Sequence, residues 1–572
     1  MAHVVVVGPS DSLTPFLTER LAPAGSCRMI CAPSAAYDDL FAEAVDAIVY
    51  RPPFLGRKDA RPDLADADRF AEACARSLAL RGGPLRIVLL SSAAAHPPSH
   101  HNTGYAGEKE RARTGHPLAS AWRELERRVG ERVESAGGTV LVLRPAPVAV
   151  RDGQDYLCRL LRGRAAVVAA GYDPALQILA PEDLAEAVRR AVERGDRGGT
   201  YHVAPAAALP VRGALRLAGT RRLALDAGLQ RPFRALASRL GWADPPAQLD
   251  QVRHAATVSG RKIEEELGFV PGKSSAEAVR DAFGTEEARQ APVPAFDRFG
   301  LDEGYVDAFG RTLFRFLHDH YWRIEWRGLE NVPREGRAVL TGVHRGFMPW
   351  DGVMALHLLR RETGRIPRFL IHPCLIKMPF LANYMTKLGG ILACQENADW
   401  VLGQEGLLGM FPEGINGAFT PYRDAYKLGR FGRDEYVKMA LRNRAPIVPF
   451  VTVGSAEIYP ILYRVNSKLV RRVFEWPYLP ITPTFPLPGL PLPSKWHTRF
   501  LEPIPVHEEH PPEAADDPAV VRAISAEVRA RMEAAIREML ALRKSVFYGS
   551  VFAEPRTPVV PPGAGPHSRG VS

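Results

Sequence analysis

The sequence predicts an α/β protein with a doubly wound parallel sheet in its N-terminal half and a second α/β domain in its C-terminal half. Short apolar runs of strand length recur along the N-terminal half, and helical patterns separate them, as the crossovers of a parallel sheet require. The composition is that of a folded soluble chain, because 46% of the 572 residues are apolar and 24% are charged. It excludes a wholly disordered protein and a polytopic membrane protein.

Strand and helix signals alternate in order along the N-terminal half. The predicted strands are Val4–Val7, Ala47–Tyr50, Arg86–Leu90 and Thr139–Leu143. The predicted helices are Leu13–Leu21, Ala119–Val133, Pro181–Val192 and two amphipathic segments within Ser259–Phe283. We predict a first domain at 1–285, a linker at 286–304, a second domain at 305–548 and a disordered tail, rich in Pro and Gly, at 549–572.

The charge balance of the chain is basic. Lys and Arg number 74 against 64 Asp and Glu, a net charge of +10. This favours an anionic partner, such as a charged headgroup, a phosphorylated cofactor or an anionic membrane surface. An ordinary basic surface in water is the alternative interpretation. Basic residues form no blocks longer than pairs, which argues against nucleic acid as a partner.

The sequence predicts neither export nor a membrane span. The N-terminus shows no basic leader followed by a long apolar run. Six scattered cysteines lack metal-ligand spacing, which predicts reduced thiols and no metal site. The uncharged stretch Trp476–Ser494 holds seven prolines, which a spanning helix would not tolerate. We therefore expect a cytoplasmic protein that touches the cytoplasmic membrane face only peripherally.

Several short motifs of the N-terminal half match a known family. They are the opening strand followed by Gly8, the pair Ser91-Ser92, the run Leu143-Arg144-Pro145, and the segment Gln177–Leu184. With these motifs, residues 1–285 resemble the extended short-chain dehydrogenase/reductase family, which contains NAD-dependent epimerases and dehydratases. The resemblance implies a Rossmann-like fold and makes Gly8 and Ser91 candidate residues for binding NAD(P).

Two features of this half depart from the family pattern. The first turn keeps only the first family glycine, Gly8, and Asp11 and Thr14 occupy the other two glycine positions. Dinucleotide binding needs those glycines for close approach of the backbone to the pyrophosphate. Leu118 and Trp122 stand on the helix that carries the family's Tyr and Lys, and neither side chain can transfer a proton. We therefore expect a domain that has lost redox chemistry.

A second Tyr/Lys pair leaves an alternative open. Tyr105 and Lys109 have the family's spacing but lie upstream of that helix, in a polar segment. If they act together, the protein is an NAD(P)-dependent oxidoreductase that works on a lipid-related substrate. Coincidental spacing in a loop is the other interpretation.

The C-terminal half contains a histidine and an aspartate just after a predicted strand. The strand Arg337–Thr341 leads into His344, and Asp351 follows shortly afterwards. An imidazole can take a proton from an attacking hydroxyl while a neighbouring carboxylate fixes its tautomer. This pair therefore predicts nucleophilic group transfer at the end of the strand.

Two later segments strengthen this interpretation because of their order. Leu408–Phe411 is a predicted strand that ends in a turn containing Glu413 and Gly414, and Ala445–Val453 is a predicted strand interrupted by prolines. With the preceding His/Asp block, residues 305–545 resemble the glycerolipid acyltransferase family, which acylates lysophosphatidic acid and related acceptors.

This resemblance implies a role for each matching residue. His344 is the general base and Asp351 orients it, Glu413 and Gly414 bind the acceptor, and Pro449 shapes the same pocket. The implied reaction is O-acyl transfer from acyl-CoA or acyl-carrier protein to a lysophospholipid or glycerolipid hydroxyl. It needs no cofactor, and backbone N–H groups beside the histidine are expected to stabilise the tetrahedral oxyanion.

The C-terminal half also departs from its family. Six residues separate the histidine from the aspartate where four are commonest, so the loop must bulge. Ile415 and Asn416 replace a Thr-Arg pair whose arginine is linked to phosphate binding. Lys377, Arg423 and Lys427 are the candidate substrate-binding cations, with a solvated basic surface as the alternative. The acceptor stays open among lysophospholipid, monoacylglycerol and long-chain alcohol.

An apolar stripe opens the second domain. Tyr305, Phe309, Leu313, Leu317 and Tyr321 recur at four-residue spacing, which predicts an amphipathic helix. Its stripe either dips into a bilayer or packs on its own domain. The leading hypothesis is a peripheral O-acyltransferase with a fused dehydrogenase-like domain; the alternatives are the oxidoreductase and a non-catalytic lipid-binding protein.

Overall fold

The computed structural model describes most of the chain as two compact units. The first comprises residues 1–303 and 373–397, and the second comprises residues 304–372 and 398–572. Within them the described residues are 2–22, 25–31, 37–41, 45–56, 59–81, 85–100, 102, 104–109, 115–194, 198–226, 246–290, 292–293, 297–432, 434–485 and 491–552. Most of the predicted tail lies outside the described residues.

Within its described residues, the first unit is built on a sheet of six parallel strands. The strands are β1 (Ala2–Gly8), β2 (Gly25–Cys31), β3 (Ala47–Tyr50), β4 (Arg86–Leu90), β5 (Thr139–Pro145) and β6 (Gly199–Val203). Their order across the sheet is β6-β5-β4-β3-β1-β2, with each neighbouring pair parallel. All four strands predicted in this half are present, and the order reverses between β1 and β3.

Helices cover both faces of this sheet because neighbouring residues of each buried strand point in opposite directions. Val4 and Val6 pack with the helices Thr14–Leu21 and Pro181–Arg194, whereas Val5 and Val7 pack with the helices that contain Phe70 and Leu125 on the other face. The predicted doubly wound arrangement is therefore confirmed. In such sheets, ligands bind at the carboxyl ends of the strands where the strand order reverses.

The remaining elements of the first unit surround this sheet. Its other helices are Leu64–Arg81, Pro117–Ser135, Tyr156–Arg162, Val211–Leu217, Arg261–Leu267, Ser275–Phe283, Glu286–Gln290, Pro373–Lys377 and Leu381–Lys387. Three short strand pairs are Phe54–Gly56 with Asp59–Pro62, Ala165–Ala169 with Arg221–Leu225, and Ala175–Leu176 with Leu209–Pro210. Helix Glu286–Gln290 lies within the predicted linker.

The segment 373–397 joins the first unit although it comes from the C-terminal half of the sequence. The Tyr172 hydroxyl donates to the Lys377 carbonyl at 2.8 Å, and the Phe380 N–H donates to the Gly171 carbonyl at 2.9 Å. These contacts fasten the segment to the N-terminal half. Lys377, a predicted substrate-binding residue, therefore belongs to the first unit.

Six of the described strands of the second unit form a mixed sheet. They are β7 (Glu325–Arg327), β8 (Ala338–Gly342), β9 (Arg368–Ile371), β10 (Leu407–Met410), β11 (Ile447–Val453) and β12 (His497–Phe500), in the order β7-β12-β11-β8-β10-β9. Strands β8, β9, β10 and β11 are parallel, and β12 runs antiparallel to β11. The three strands predicted in this half correspond to β8, β10 and β11.

Helices and one short hairpin complete the second unit. The helices are Trp350–Thr363, Ile415–Ala418, Glu435–Arg442, Lys468–Phe474, Val506–Glu509 and Pro518–Leu542, while Glu303–Phe309 and Gln395–Gly403 span the division between the units. The hairpin pairs the strand Tyr463–Val465 with the strand Leu479–Ile481. None of the helices in the described residues is long and apolar enough to cross a bilayer.

The predicted amphipathic helix forms, but its stripe is divided between interior and surface. Helix Glu303–Phe309 continues through two wide turns, Gly310–Phe314 and Leu317–Tyr321, in which hydrogen bonds span five residues. This geometry buries Phe314 and Leu317 but leaves Leu313 41% exposed. Part of the stripe is therefore buried within the protein. This agrees in part with the interpretation that the stripe packs on its own domain.

Two buried histidines meet at this helix, His318 in its second wide turn and His357 in helix Trp350–Thr363. His318 and His357 are 2% and 5% exposed, and their ring centroids lie 5.6 Å apart. Burial lowers the pKa of His318 to about 3 and that of His357 to about 4, and the nearby Arg361 guanidinium contributes to both shifts. Both rings are therefore neutral in the folded protein near neutral pH.

Acidification from about pH 7 to about pH 5 is predicted to destabilise the second unit. An unfolded histidine, with a pKa of about 6.5, takes up a proton in this range, whereas folded His318 and His357 do not. Their contribution to stability is therefore complete above about pH 6.5 and falls as the pH is lowered, by about 2 kcal/mol for each histidine at pH 5. Thermal unfolding midpoints measured across this range test the prediction.

The variant His357→Phe should flatten this pH dependence because it removes one of the two titrating groups. The control His320→Phe, at an exposed position, should leave the dependence unchanged. An identical slope in wild type and His357→Phe would contradict the prediction.

Candidate active site

His344 and Asp351 meet at the carboxyl end of strand β8. Asp351 lies in the first turn of helix Trp350–Thr363, and both of its carboxylate oxygens are 2.9 Å from Nδ1 of His344. The backbone N–H groups of Arg345 and Gly352 donate to the same carboxylate at 2.8 and 2.9 Å. The carboxylate is thus fixed in place, and it holds the proton of the imidazole on Nδ1, which leaves Nε2 to accept another.

The loop between these residues bulges, as its extra length requires. Gly346 adopts a φ of +82°, and a Cβ at this position would collide with the Ser455 carbonyl oxygen. Phe347 also has a positive φ, +55°, and its N–H donates to the Ala418 carbonyl at 3.1 Å. The surrounding contacts therefore hold the loop in a strained conformation that a non-glycine residue rarely adopts.

The Arg345 guanidinium joins three segments around this loop. Its side chain is 1% exposed and forms a two-pronged ion pair with Glu413, at 2.6 Å from Nη1 and 3.1 Å from Nη2. Nη1 also donates to the His344 carbonyl at 2.7 Å, Nη2 donates to the Lys427 carbonyl at 2.9 Å, and Nε donates to the Ala425 carbonyl. Every N–H of the guanidinium is used, as a buried charge requires.

Glu413 is held by protein groups on both of its oxygens. Besides Arg345, the Gly429 N–H donates to Oε1 of Glu413 at 2.5 Å. Gly414 follows with a φ of +58°, in a turn where its N–H donates to the Phe411 carbonyl at 2.9 Å. The structure therefore brings the Glu413 turn to the histidine loop, and the acceptor-binding roles of these two residues stay predictions.

The other predicted site residues are distributed differently. Pro449 is buried in β11, where it pairs in register with Thr341 of β8. Arg423 and Lys427 have side chains that are 76% and 79% exposed, and both pair with Asp424, at 3.3 and 3.0 Å. These two cations therefore lie on the surface with a carboxylate already beside them.

Aromatic side chains line the surroundings of the histidine. The Phe411 ring centroid lies 4.9 Å from that of His344. Phe347 contacts Phe419 edge to face at 5.2 Å and Trp476 at 5.1 Å. This arrangement places apolar surface next to the His/Asp pair and suits an apolar substrate.

Several amides of the loop are already engaged. Those of Arg345, Phe347 and Gly352 donate to protein acceptors. The Gly346 N–H has no hydrogen bond within the described part of the chain, so it is an amide of the loop that is available to the predicted oxyanion.

Sequence reasoning missed Arg345. The residue stands directly after His344, and an arginine is ordinarily exposed. Only the burial of Glu413 next to it identifies the pair, because the two residues are distant in sequence and meet through adjacent strands β8 and β10.

A cavity of about 610 Å³ opens in the first unit at the carboxyl ends of its parallel strands. Ser91, Leu118 and Trp122 line it, together with Asp11 and Arg51. Leu118 and Trp122 therefore line the cavity at the two positions where the dehydrogenase/reductase family carries its proton-transferring Tyr and Lys.

The predicted cofactor residues are engaged by protein groups. The Ser91 hydroxyl donates to the Glu126 carboxylate, which also forms an ion pair with Arg144 at 2.6 Å. Gly8 ends strand β1, and a Cβ there would lie 2.7 Å from Cβ of Arg51. Gly8 therefore permits the close approach of Arg51.

The residues at the entrance to helix Thr14–Leu21 do not fit a dinucleotide. A pyrophosphate would bind the N–H groups at the start of this helix. Here the Ser12 N–H donates to Asp152 at 3.0 Å and the Leu13 N–H donates to Asp11 at 3.1 Å. Arg51 lies 2.6 Å from Asp11 and is neutralised by it. A pyrophosphate would have to displace two carboxylates of its own charge.

Tyr105 and Lys109 lie in different environments. Tyr105 is buried, and its hydroxyl donates to the Arg298 carbonyl at 3.4 Å, while Lys109 is exposed. Burial raises the pKa of the Tyr105 phenol, although Arg298 stacked on its ring opposes this effect. A catalytic tyrosine of this kind needs a lowered pKa.

Comparison with known proteins identifies an acyltransferase domain in the C-terminal half of the sequence. The model of the family described as Acyltransferase matches residues 323–453. An uncharacterized protein of Mycobacterium tuberculosis is 39% identical over 259 residues, 44% of this chain and 72% of that protein. One of Mycobacterium leprae is 34% identical over 302 residues, 52% of this chain and 82% of that protein.

More distant similarities reach other organisms. Phytyl ester synthase 1 of Arabidopsis thaliana is 26% identical over 283 residues, 44% of this chain and 39% of that protein. The NAD complex of UDP-glucose 4-epimerase from Thermus thermophilus is 16% identical, with a TM-score of 0.37, and covers 50% of this chain and 100% of the epimerase. The Rossmann-like fold of the first unit is assigned from the strand order of its own sheet.

The chain thus joins a Rossmann-like domain to an acyltransferase domain. It belongs to one family with the mycobacterial proteins.

Breaking the Arg345–Glu413 pair should destabilise the second unit strongly. Glu413→Gln leaves the guanidinium buried without its counter-charge, and such a loss costs about 3–5 kcal/mol. The control Asp424→Asn changes a half-buried carboxylate whose two partners are exposed cations, and it should lower the stability by less than about 1 kcal/mol. Urea unfolding followed by tryptophan fluorescence measures both, and unchanged stability of Glu413→Gln would show that the pair does not hold the site together.

NADH and NADPH should show no saturable binding to the wild-type protein at up to about millimolar concentration, because carboxylates occupy the helix amides. The double variant Asp11→Ala/Asp152→Ala exposes those amides and should bind more tightly than wild type. Cofactor fluorescence titration tests both statements. Saturable binding of NADH or NADPH to the wild-type protein at micromolar concentration would contradict the conclusion that this site fits a dinucleotide poorly.

Proposed function

We propose that the protein is an O-acyltransferase that moves a fatty acyl group from acyl-CoA or acyl-carrier protein to the hydroxyl of an uncharged lipid. The observation that carries this proposal is the contact between Nδ1 of His344 and the buried Asp351 carboxylate, at 2.9 Å, within the acyltransferase domain. His344 is the general base in this proposal.

The proposed reaction proceeds by direct attack. The acceptor hydroxyl donates a hydrogen bond to Nε2 of His344, and its oxygen attacks the thioester carbonyl while its proton moves to Nε2. Asp351 stabilises the imidazolium, and the Gly346 N–H supports the tetrahedral oxyanion. The C–S bond then breaks, and the leaving thiolate takes the proton from Nε2. The products are an ester and a free thiol, and no acyl-enzyme forms.

Charge and polarity around the site favour an uncharged acceptor. Glu413 already neutralises Arg345, and Arg423 and Lys427 are exposed beside Asp424. The rings of Phe347 and Phe411 supply apolar surface next to the imidazole. A long-chain alcohol or a neutral glycerolipid fits this environment better than a lysophospholipid phosphate. The Arabidopsis relative is named as a synthase of phytyl esters, and ester formation is the reaction proposed here.

The mechanism predicts that His344→Ala loses acyl transfer by about two to four orders of magnitude, the usual contribution of a general base. Labelled acyl-CoA with a long-chain alcohol, diacylglycerol and lysophosphatidic acid as parallel acceptors measures the loss in kcat. Wild type should prefer the two uncharged acceptors.

The control His320→Ala changes an exposed histidine of the same unit and should retain full activity. Equal activity of His344→Ala and wild type would refute the role of His344. A preference for lysophosphatidic acid would leave the base assignment intact and overturn the choice of acceptor.

A further inference from the structure

The two strands of the hairpin in the second unit are connected by a segment whose exposed side chains are unusually apolar for a protein surface. Strands Tyr463–Val465 and Leu479–Ile481 pair antiparallel, and helix Lys468–Phe474 lies between them in the sequence. We call residues 462–474 the apolar arm. Within the arm, Val470 is 8% exposed and anchors the helix to the protein.

Most large apolar side chains of the arm face solvent. Their exposed fractions are 65% for Leu462, 68% for Tyr463, 39% for Val465, 68% for Leu469, 44% for Val473 and 37% for Phe474. Single exposed apolar residues are ordinary on a protein surface, but a concentration of this kind within one short segment marks an interaction site.

Basic side chains alternate with these apolar residues. Arg464, Lys468, Arg471 and Arg472 are all exposed, and Glu475 is the one acidic residue in the sequence from 458 to 485. The segment therefore carries a net charge of +3, from four basic residues and one acidic residue. A short helix that combines exposed leucine and valine with arginines is the pattern of a segment that lies in a bilayer interface.

Aromatic contacts connect the arm to the histidine loop. The rings of Phe474 and Trp476 stack with centroids 4.9 Å apart, and Trp476 contacts Phe347 edge to face at 5.1 Å. Phe347 belongs to the same loop as His344. The arm and the candidate active site therefore belong to one continuous apolar cluster.

We infer that the apolar arm docks the protein on a bilayer that contains anionic phospholipid. Leu462, Leu469 and Val473 enter the interfacial region, and the arginines and lysine contact the negatively charged headgroups. Charge complementarity favours this occupant over a neutral apolar partner or a second copy of the basic arm. The inference does not depend on the proposed reaction, because docking requires no turnover.

Vesicle flotation with purified full-length protein tests this inference. Vesicles of phosphatidylcholine with phosphatidylglycerol should bind the wild-type protein, and phosphatidylcholine alone should bind it at least about tenfold more weakly. Added salt should weaken the binding to anionic vesicles. The variants Leu469→Ser/Val473→Ser and Arg471→Glu/Arg472→Glu should each lower the binding by about tenfold or more.

A matched control uses the exposed apolar residues of the other predicted membrane surface. Leu313 and Phe316 are 41% and 52% exposed, and Leu313→Ser/Phe316→Ser should bind vesicles as wild type does. Circular dichroism melting confirms that each variant folds. Wild-type binding by both arm variants, or loss of binding in the control alone, would overturn the inference.

Light scattering tests the remaining alternative, in which a second copy of the chain binds the apolar arm. A wild-type dimer that becomes a monomer in Leu469→Ser/Val473→Ser, without binding to anionic vesicles, would assign the arm to self-association instead. Monomeric wild type together with vesicle binding that depends on the arm supports the inference.

Discussion

The buried guanidinium of Arg345 is the constraint on which the candidate active site depends. Removing a charge from water is costly unless it is paired and its N–H groups are satisfied. Here Glu413 supplies the charge, and carbonyls of His344, Ala425 and Lys427 accept the remaining hydrogens. The histidine loop, the glutamate turn and the following segment cannot separate without exposing this charge. The ion pair thereby keeps the imidazole loop in a conformation that includes two positive φ angles.

The same pair explains the polarity of the site. Because Arg345 and Glu413 neutralise each other, neither is available to a charged substrate. Rings such as Phe411 then dominate the environment of the imidazole, and Asp351 supplies the carboxylate in contact with it. A site whose buried charges neutralise each other and whose surroundings are apolar suits a lipid hydroxyl as the acceptor. Under the inference drawn above, the apolar arm brings this surface to a lipid bilayer.

The first unit combines the parallel sheet of a Rossmann-like fold with carboxylates bound to the amides at the start of its first helix. The strand order still creates a cavity at the reversal between β1 and β3. Asp11 and Asp152, however, occupy the helix amides that a pyrophosphate would need. Fold depends on the apolar pattern of strands such as Val4–Val7, whereas anion binding depends on a few amides and the charges beside them. The fold can therefore persist without the anion-binding site.

The sequence by itself determined seven of the twelve labelled strands, the doubly wound sheet and the residues of the His/Asp pair, because apolar periodicity and motif order are local properties. It also indicated that the Asp11 turn was unsuited to a dinucleotide. Tertiary structure alone decided the Arg345–Glu413 pair, the inclusion of residues 373–397 in the first unit and the division of the 305–321 stripe. These features depend on burial and on contacts between residues far apart in sequence. A local pattern does not show which charge is buried, nor where a wide helical turn rotates a side chain out of its expected line.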